Sequence, residues 1–135
     1  MSERIKDKIE EVEKFVSQLE EFAPSSFEDY IADDKTRAAC ERTAEKIIEG
    51  LVDLAFLVIK SKGFKMPEDD ESSFDMLLAE KIINERLFVS LKKAKGMRNI
   101  LAHEYGKIDD EIVFDAISNE LVNDAKEFIK EIKKN

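Results

Sequence analysis

The sequence is short of every residue that ties or punctuates a chain: its 135 residues include one cysteine, two prolines, four glycines and one histidine. A lone cysteine, Cys40, leaves no partner for an intrachain disulfide. So few breakers, and so little alternation of apolar with polar residues, argue against a sheet and for long helices. The longest uninterrupted apolar run, Leu54 to Ile59, falls far short of the ~20 residues that a membrane-spanning helix requires. Bases are also in deficit. They number 22 against 31 acids, and the resulting net charge of −9 excludes broad adhesion to nucleic acid or to an anionic membrane surface. The opening residues Met-Ser-Glu-Arg-Ile-Lys are charged where a signal peptide would turn apolar, so the expected compartment is the cytoplasm.

What is present suits one packed domain. With 43% hydrophobic side chains the chain can bury a single sizeable core, and no linker divides it, so residues 1–135 are expected to form one all-α unit. Ser2 can cap a first helix in which Ile5, Ile9, Val12, Val16, Leu19 and Phe22 recur at helical spacing. That helix ends before Pro24. Ser25 or Ser26 opens a short turn carrying Phe27, Tyr30 and Ile31, and Asp33 or Asp34 starts a long second helix that Gly63 stops. The acid-rich stretch 63–73 reads as a loop, with Ser72 or Ser73 capping a third helix through Phe74, Leu77, Leu78 and Ile82. A fourth helix is expected from about Asn84 to Tyr105. A last helix, capped by Asp109 and stapled by Ile108 and Val113, should run to the C-terminus. Short links between these elements imply an antiparallel bundle of four to five helices.

Two charge patterns stand out. On the second helix Glu41, Glu45, Glu49 and Asp53 recur every four residues, where like charges repel. Arg37, Arg42 and Lys46 could relieve them, or cations from another helix, Arg98 among them, could face them. Conversely, residues 86–103 contain no acid but five bases: Arg86, Lys92, Lys93, Lys95 and Arg98, a local charge of about +5. Such a strip suits a phosphate backbone, with Lys92, Lys93 and Lys95 as candidate RNA contacts. Alternatively, it serves to neutralise the acidic stripe.

The strip leads into Arg98-Asn99-Ile100-Leu101-Ala102-His103-Glu104-Tyr105. Metal-free RNA cleavage needs a base for the 2′-hydroxyl proton, an acid for the leaving oxygen and a cation for the charged transition state. His103 can move protons, with a reference pKa near ~6.5. Arg98 can fork onto phosphate oxygens, Tyr105 can donate a hydrogen bond, and Asn99, one turn before His103, can orient the imidazole. At ~100° per residue, Arg98 and Tyr105 lie nearly in line while His103 sits about 140° away. Either the helix unwinds toward Gly106, or two copies of it meet and supply one imidazole each. The competing role for a lone histidine near a helix end is capping or surface polarity. Metal chemistry finds no frame: a Glu-x-x-His pair would need an acid at Ile100, and His-Glu-x-x-His would need histidine at Lys107. The strand-turn-helix of a nucleophile elbow is also absent.

This octet resembles the Arg-x4-His-x-Tyr signature of HEPN-domain proteins, specifically the HepT toxin family. The likeness extends to Glu41-Arg42, Glu49 and Asp53 of the second helix and to Gly106-Lys107-Ile108-Asp109. One departure is Met97, where relatives often carry an aromatic residue. The resemblance implies an all-α C2 homodimer, a metal-independent ribonuclease without cofactor, silenced by a minimal nucleotidyltransferase antitoxin. It implies catalytic roles for Arg98 and His103 and makes Tyr105 the residue that the antitoxin modifies. A non-catalytic HEPN module that binds a nucleotide or a nucleotidyltransferase would keep the basic strip and the dimer without needing His103 for proton transfer.

Overall fold

The computed structural model describes residues 1–103 and 108–135, apart from the side chains of Glu71 and His103. Helix α1 (Glu3–Phe22) begins where the Ser2 hydroxyl accepts the Ile5 N–H at 3.2 Å, and it buries Ile5, Ile9, Val12, Val16 and Leu19 of the expected ridge, whereas Phe22, at the last turn, stays exposed. The short α2 (Phe27–Ala32) is capped by Ser26 and sinks Tyr30 into the core against the ring of Phe114, which Phe27 also meets. Asp33 caps α3 (Asp34–Ser61), through hydrogen bonds from the backbone amides of Lys35 and Thr36. This helix stops at Gly63, which takes the left-handed conformation (φ +74°). There the Phe64 N–H reaches back to the Ile59 carbonyl, closing the last turn.

Three features depart from the sequence expectation. Helix α4 (Asp70–Ala79) starts earlier than expected, because Asp69 rather than Ser72 or Ser73 is its cap; the Asp69 carboxylate takes both the amide and the hydroxyl of Ser72. The helix also ends before Ile82. Lys81 adopts the left-handed region at φ +60°, the Ile82 N–H bonds the Leu77 carbonyl, and the Lys81 N–H bonds that of Leu78. This glycine-type ending, built with a lysine, swings Ile82 back into the core. After α5 (Glu85–His103) and α6 (Asp110–Asp115), the last helix widens into a π-helical turn over Ala116–Glu120 before resuming as α7 (Leu121–Lys134). Within that turn Ser118 and Asn119 are weak helix formers, and the Asn119 carbonyl is taken by the side-chain amide of Asn123 at 3.1 Å. The expected continuation of α5 to Tyr105 lies outside the described residues.

Pairings across the bundle run antiparallel. Lys8 meets Asp53 and Lys46 lies over Phe15, so α1 and α3 run in opposite directions. Arg86 with Glu127 and Lys93 with Glu120 show the same for α5 against α7. The α1/α3 contact is tight at Gly50, where a Cβ would come within 2.5 Å of Val12 Cγ2. Cys40 is a buried free thiol. Among the described residues no helix is long and apolar enough to cross a membrane.

Gly50→Ala therefore gains about 1 kcal/mol of helix propensity but forces an overpacked contact that costs roughly 1–3 kcal/mol. The expected net is a destabilisation of about 1 kcal/mol in chemical denaturation. A midpoint at or above wild type would show that Val12 yields freely.

Candidate functional site

Helix α5 carries the candidate residues, and its register decides which way each one faces. Leu87, Leu91, Ala94 and Leu101 are buried and lie within about 60° of Arg98 around the helix. Arg98 thus rises from the core-facing margin, where α5 abuts α3. Its guanidinium reaches outward along that seam, and its side chain is 32% exposed. One terminal nitrogen donates to Glu49 Oε1 at 3.1 Å, and the other makes a long 3.5 Å contact with Asn99 Oδ1. Nε is turned inward, with no acceptor among the described residues.

The basic strip divides between two sides of α5. Lys95 lines a shallow cleft of about 240 Å³ together with Arg98, Glu49, Asp53 and Asp70. Lys92, on the same ridge as Lys95 and Arg98, pairs with Asp75 at 3.3 Å and lies over the Phe88 ring. Lys93 points the other way, to Glu120 at 3.6 Å, and borders a groove of about 730 Å³ between α5 and the α6/α7 segment. Met97, Ile100, Ile112 and Val113 also line this groove. Next to it the surface is unusually apolar: Val89 is 58% exposed, Ile100 44% and Ile112 63%. His103, about 140° round the helix from Arg98, occupies a position on this outward side. Its side chain, like the whole of Tyr105, lies outside the described residues, so the structure relates neither group to Arg98. Asn99 is exposed beside Arg98. No group of three or more His, Cys, Asp or Glu side chains among the described residues could hold a metal ion.

The acidic stripe of α3 is answered residue by residue. Glu41 and Glu45 meet Arg37 (4.0 Å) and Arg42 (3.0 Å) of their own helix, whereas Glu49 and Asp53 meet Arg98 of α5 (3.1 Å) and Lys8 of α1 (3.4 Å). Both explanations open from the sequence hold, each for half of the stripe. Lys46, expected to help, lies over Phe15 instead. Sequence reasoning had no means of placing the apolar groove, because its two walls come from helices whose pairing is set only in the fold.

Compared with solved structures, the whole chain superposes on a tri-AMPylated HEPN toxin of Shewanella oneidensis in complex with an MNT antitoxin, with TM-score 0.91, 23% identity and full coverage of both chains. The fold is that of the HEPN toxins. Residues 5–132 match the family model for ribonuclease HepT-like proteins, and the chain belongs to that family. Among curated proteins, the tRNA nuclease HepT of Aphanizomenon flos-aquae is 29% identical over 115 residues, 84% of this chain and 78% of that one. The mRNA nuclease HepT of Shewanella oneidensis is 29% identical over 89 residues, 66% of each chain. A relative from Archaeoglobus fulgidus is 39% identical over 70 residues, so the chain spans about half of its length (52%).

The stripe yields one pH-dependent expectation. Burial, then the nearby Asp110 and Glu45, hold the Glu41 carboxyl above its ordinary range, against a partial opposing pull from Arg37. The folded chain therefore keeps this proton to higher pH than the unfolded chain does. Ionised Glu41 costs stability above its folded pKa, and the cost vanishes below the ordinary carboxylate value of ~4.3. Glu41→Gln is expected to be more stable than wild type at pH 7, with the two denaturation midpoints converging as pH falls toward 4. A gap that widens on acidification would reverse the sign.

Proposed function

We propose that this chain is the toxin of a toxin–antitoxin pair, a metal-independent endoribonuclease acting in the cytoplasm and working as a C2 homodimer. The observation that carries the reading is Arg98, a guanidinium held at the helix seam and partly open to solvent, within the Arg-x4-His-x-Tyr octet. Arg98 binds the scissile phosphate and stabilises charge as the 2′-oxygen attacks. One His103 takes the 2′-hydroxyl proton, and the His103 of a second copy returns a proton to the leaving 5′-oxygen. Lys92, Lys93 and Lys95 steer neighbouring phosphates, and Asn99 orients the imidazole. The exposed Val89, Ile100 and Ile112 beside the groove suit a face that a second copy covers.

Tyr105 is the acceptor through which a minimal nucleotidyltransferase antitoxin silences the enzyme. Its phenol oxygen attacks the α-phosphorus of a nucleoside triphosphate, pyrophosphate leaves, and the phenol proton passes to a base. The added phosphate, two residues from His103, would claim Arg98 and repel RNA.

One observation favours a second reading. Arg86, Lys92, Lys93 and Arg98 each face a carboxylate, so much of the strip's charge is answered within the chain. A non-catalytic module that binds a nucleotide or a nucleotidyltransferase would have the same features. The pairs of Arg86, Lys92 and Lys93 lie at the surface and are worth only about 0–1 kcal/mol, which leaves them open to displacement by RNA.

Cleavage of RNA in EDTA separates the two readings. Wild type is expected to cut, Arg98→Ala and His103→Ala to lose at least ~100-fold in rate, and Ile100→Asp to become monomeric and inactive. An inactive wild type that still binds the antitoxin favours the module, and full activity in the Ile100→Asp monomer removes the shared site. For the modification, co-expression with the antitoxin should shift the intact mass by whole nucleotide units, and Tyr105→Phe should abolish the shift. A persisting shift would move the acceptor elsewhere.

A further inference from the structure

We propose that Glu49 is a positioning residue for RNA cleavage: from α3 it holds the Arg98 guanidinium in the orientation that receives the scissile phosphate, an inference that rests on reading Arg98 as part of a ribonuclease site. An arginine on a helix surface has several rotatable bonds, and a group that must stabilise a transition state contributes most when it is already aimed. Helix α5 cannot provide the aim itself. It has no acid between Arg86 and His103, and the one partner for Arg98 among its own described residues, Asn99 Oδ1, is 3.5 Å away. The short contact comes from 49 residues earlier in the chain, at 3.1 Å.

Glu49 is well suited to hold Arg98. Its neighbours Ile48, Leu51 and Val52 are buried in the core, so the carboxylate stands on a helix locked by packing. It engages one terminal nitrogen, while Nε is withdrawn from solvent. The second terminal nitrogen, bound among the described residues only by the long Asn99 contact, remains for a phosphate oxygen. The pair does little for the fold, since it is only partly buried, with both side chains about a third or more exposed, and both helices already bury apolar faces in one core. Nor does it favour RNA encounter, because a carboxylate this close offsets part of the arginine's charge. It therefore gives up some attraction in the ground state and keeps a fixed geometry for the transition state, so its effect belongs in kcat rather than KM.

The test compares full-length wild type, Glu49→Ala and Glu49→Gln, with RNA cleavage measured in EDTA and thermal melts alongside. Glu49→Ala should lower kcat by about tenfold or more while KM shifts by less than about threefold and melting stays at the wild-type temperature. Glu49→Gln keeps an oxygen acceptor and should retain most of kcat. Nitrogen-15 relaxation of the Arg98 Nε–Hε group reads the same geometry without activity: ordered in wild type and Glu49→Gln, averaged in Glu49→Ala. Glu49→Ala cutting as fast as wild type, or faster, overturns the proposal, the faster case making the carboxylate a mere competitor with RNA. Glu49→Gln failing as badly as Glu49→Ala overturns it too. If wild type does not cleave RNA, the ribonuclease reading falls by itself, and the relaxation data still decide whether Glu49 holds Arg98: an Arg98 equally ordered in Glu49→Ala shows that it does not.

Discussion

The bundle leans on α3, which must bury one face against α1, α4, α5 and α7 while keeping a row of acids on the edge that remains. Twelve of its 28 residues are buried, more than a simple surface helix would hide, so little of its circumference is free for charge. The four acids are forced into one line by that shortage. Repulsion along the line is relieved only if cations come to it, and two of the four must come from other helices. The contact between Glu49 and Arg98 follows from the same demand that fixes the core.

A chain with net charge −9 does not draw a polyanion to itself over any distance. Whatever RNA contact it makes must depend on local geometry at α5, where the bases are gathered and then partly answered by acids of α4, the π-helical turn, α7 and α3. A site of this kind favours accurate placement over strong attraction, and competing salt should weaken it less steeply than it weakens a protein that neutralises many phosphates.

Much of this was legible from residue types. The ridge on α1, the caps at Ser2, Ser26, Asp33 and Asp109 and the stop at Gly63 all follow local rules and appear where those rules place them. The acidic stripe announced a cation from elsewhere, and Arg98 is one. Three places depart from the expectation: Asp69 caps α4 ahead of two serines, being as good a cap as they are, Ser118 and Asn119, weak helix formers, lie in a widened turn inside a helix, and Lys81 takes a glycine's conformation. Only at Lys81 does tertiary packing, the return of Ile82 to the core, outweigh a local preference. The groove beside α5 was beyond reach of the sequence, since no spacing within one helix reveals which other helix will stand across from it.

The register of α5 also bears on the proposed dimer. Arg98 leaves the helix on its α3 side, drawn there by Glu49, whereas the position of His103 is about 140° away, on the side where Val89 and Ile100 are bare. While α5 stays regular, positions 98 and 103 lie on different sides of it, and a phosphate seated in the α3/α5 cleft would meet Arg98. A second copy laid over the bare apolar side would bring its own histidine to the same helix end. It would also cover surface that a solitary domain has no reason to expose, and it would supply the second imidazole that one chain lacks. On the proposed reading a single arrangement thus answers the separation of the two positions around α5, the uncovered patch and the need for two proton carriers.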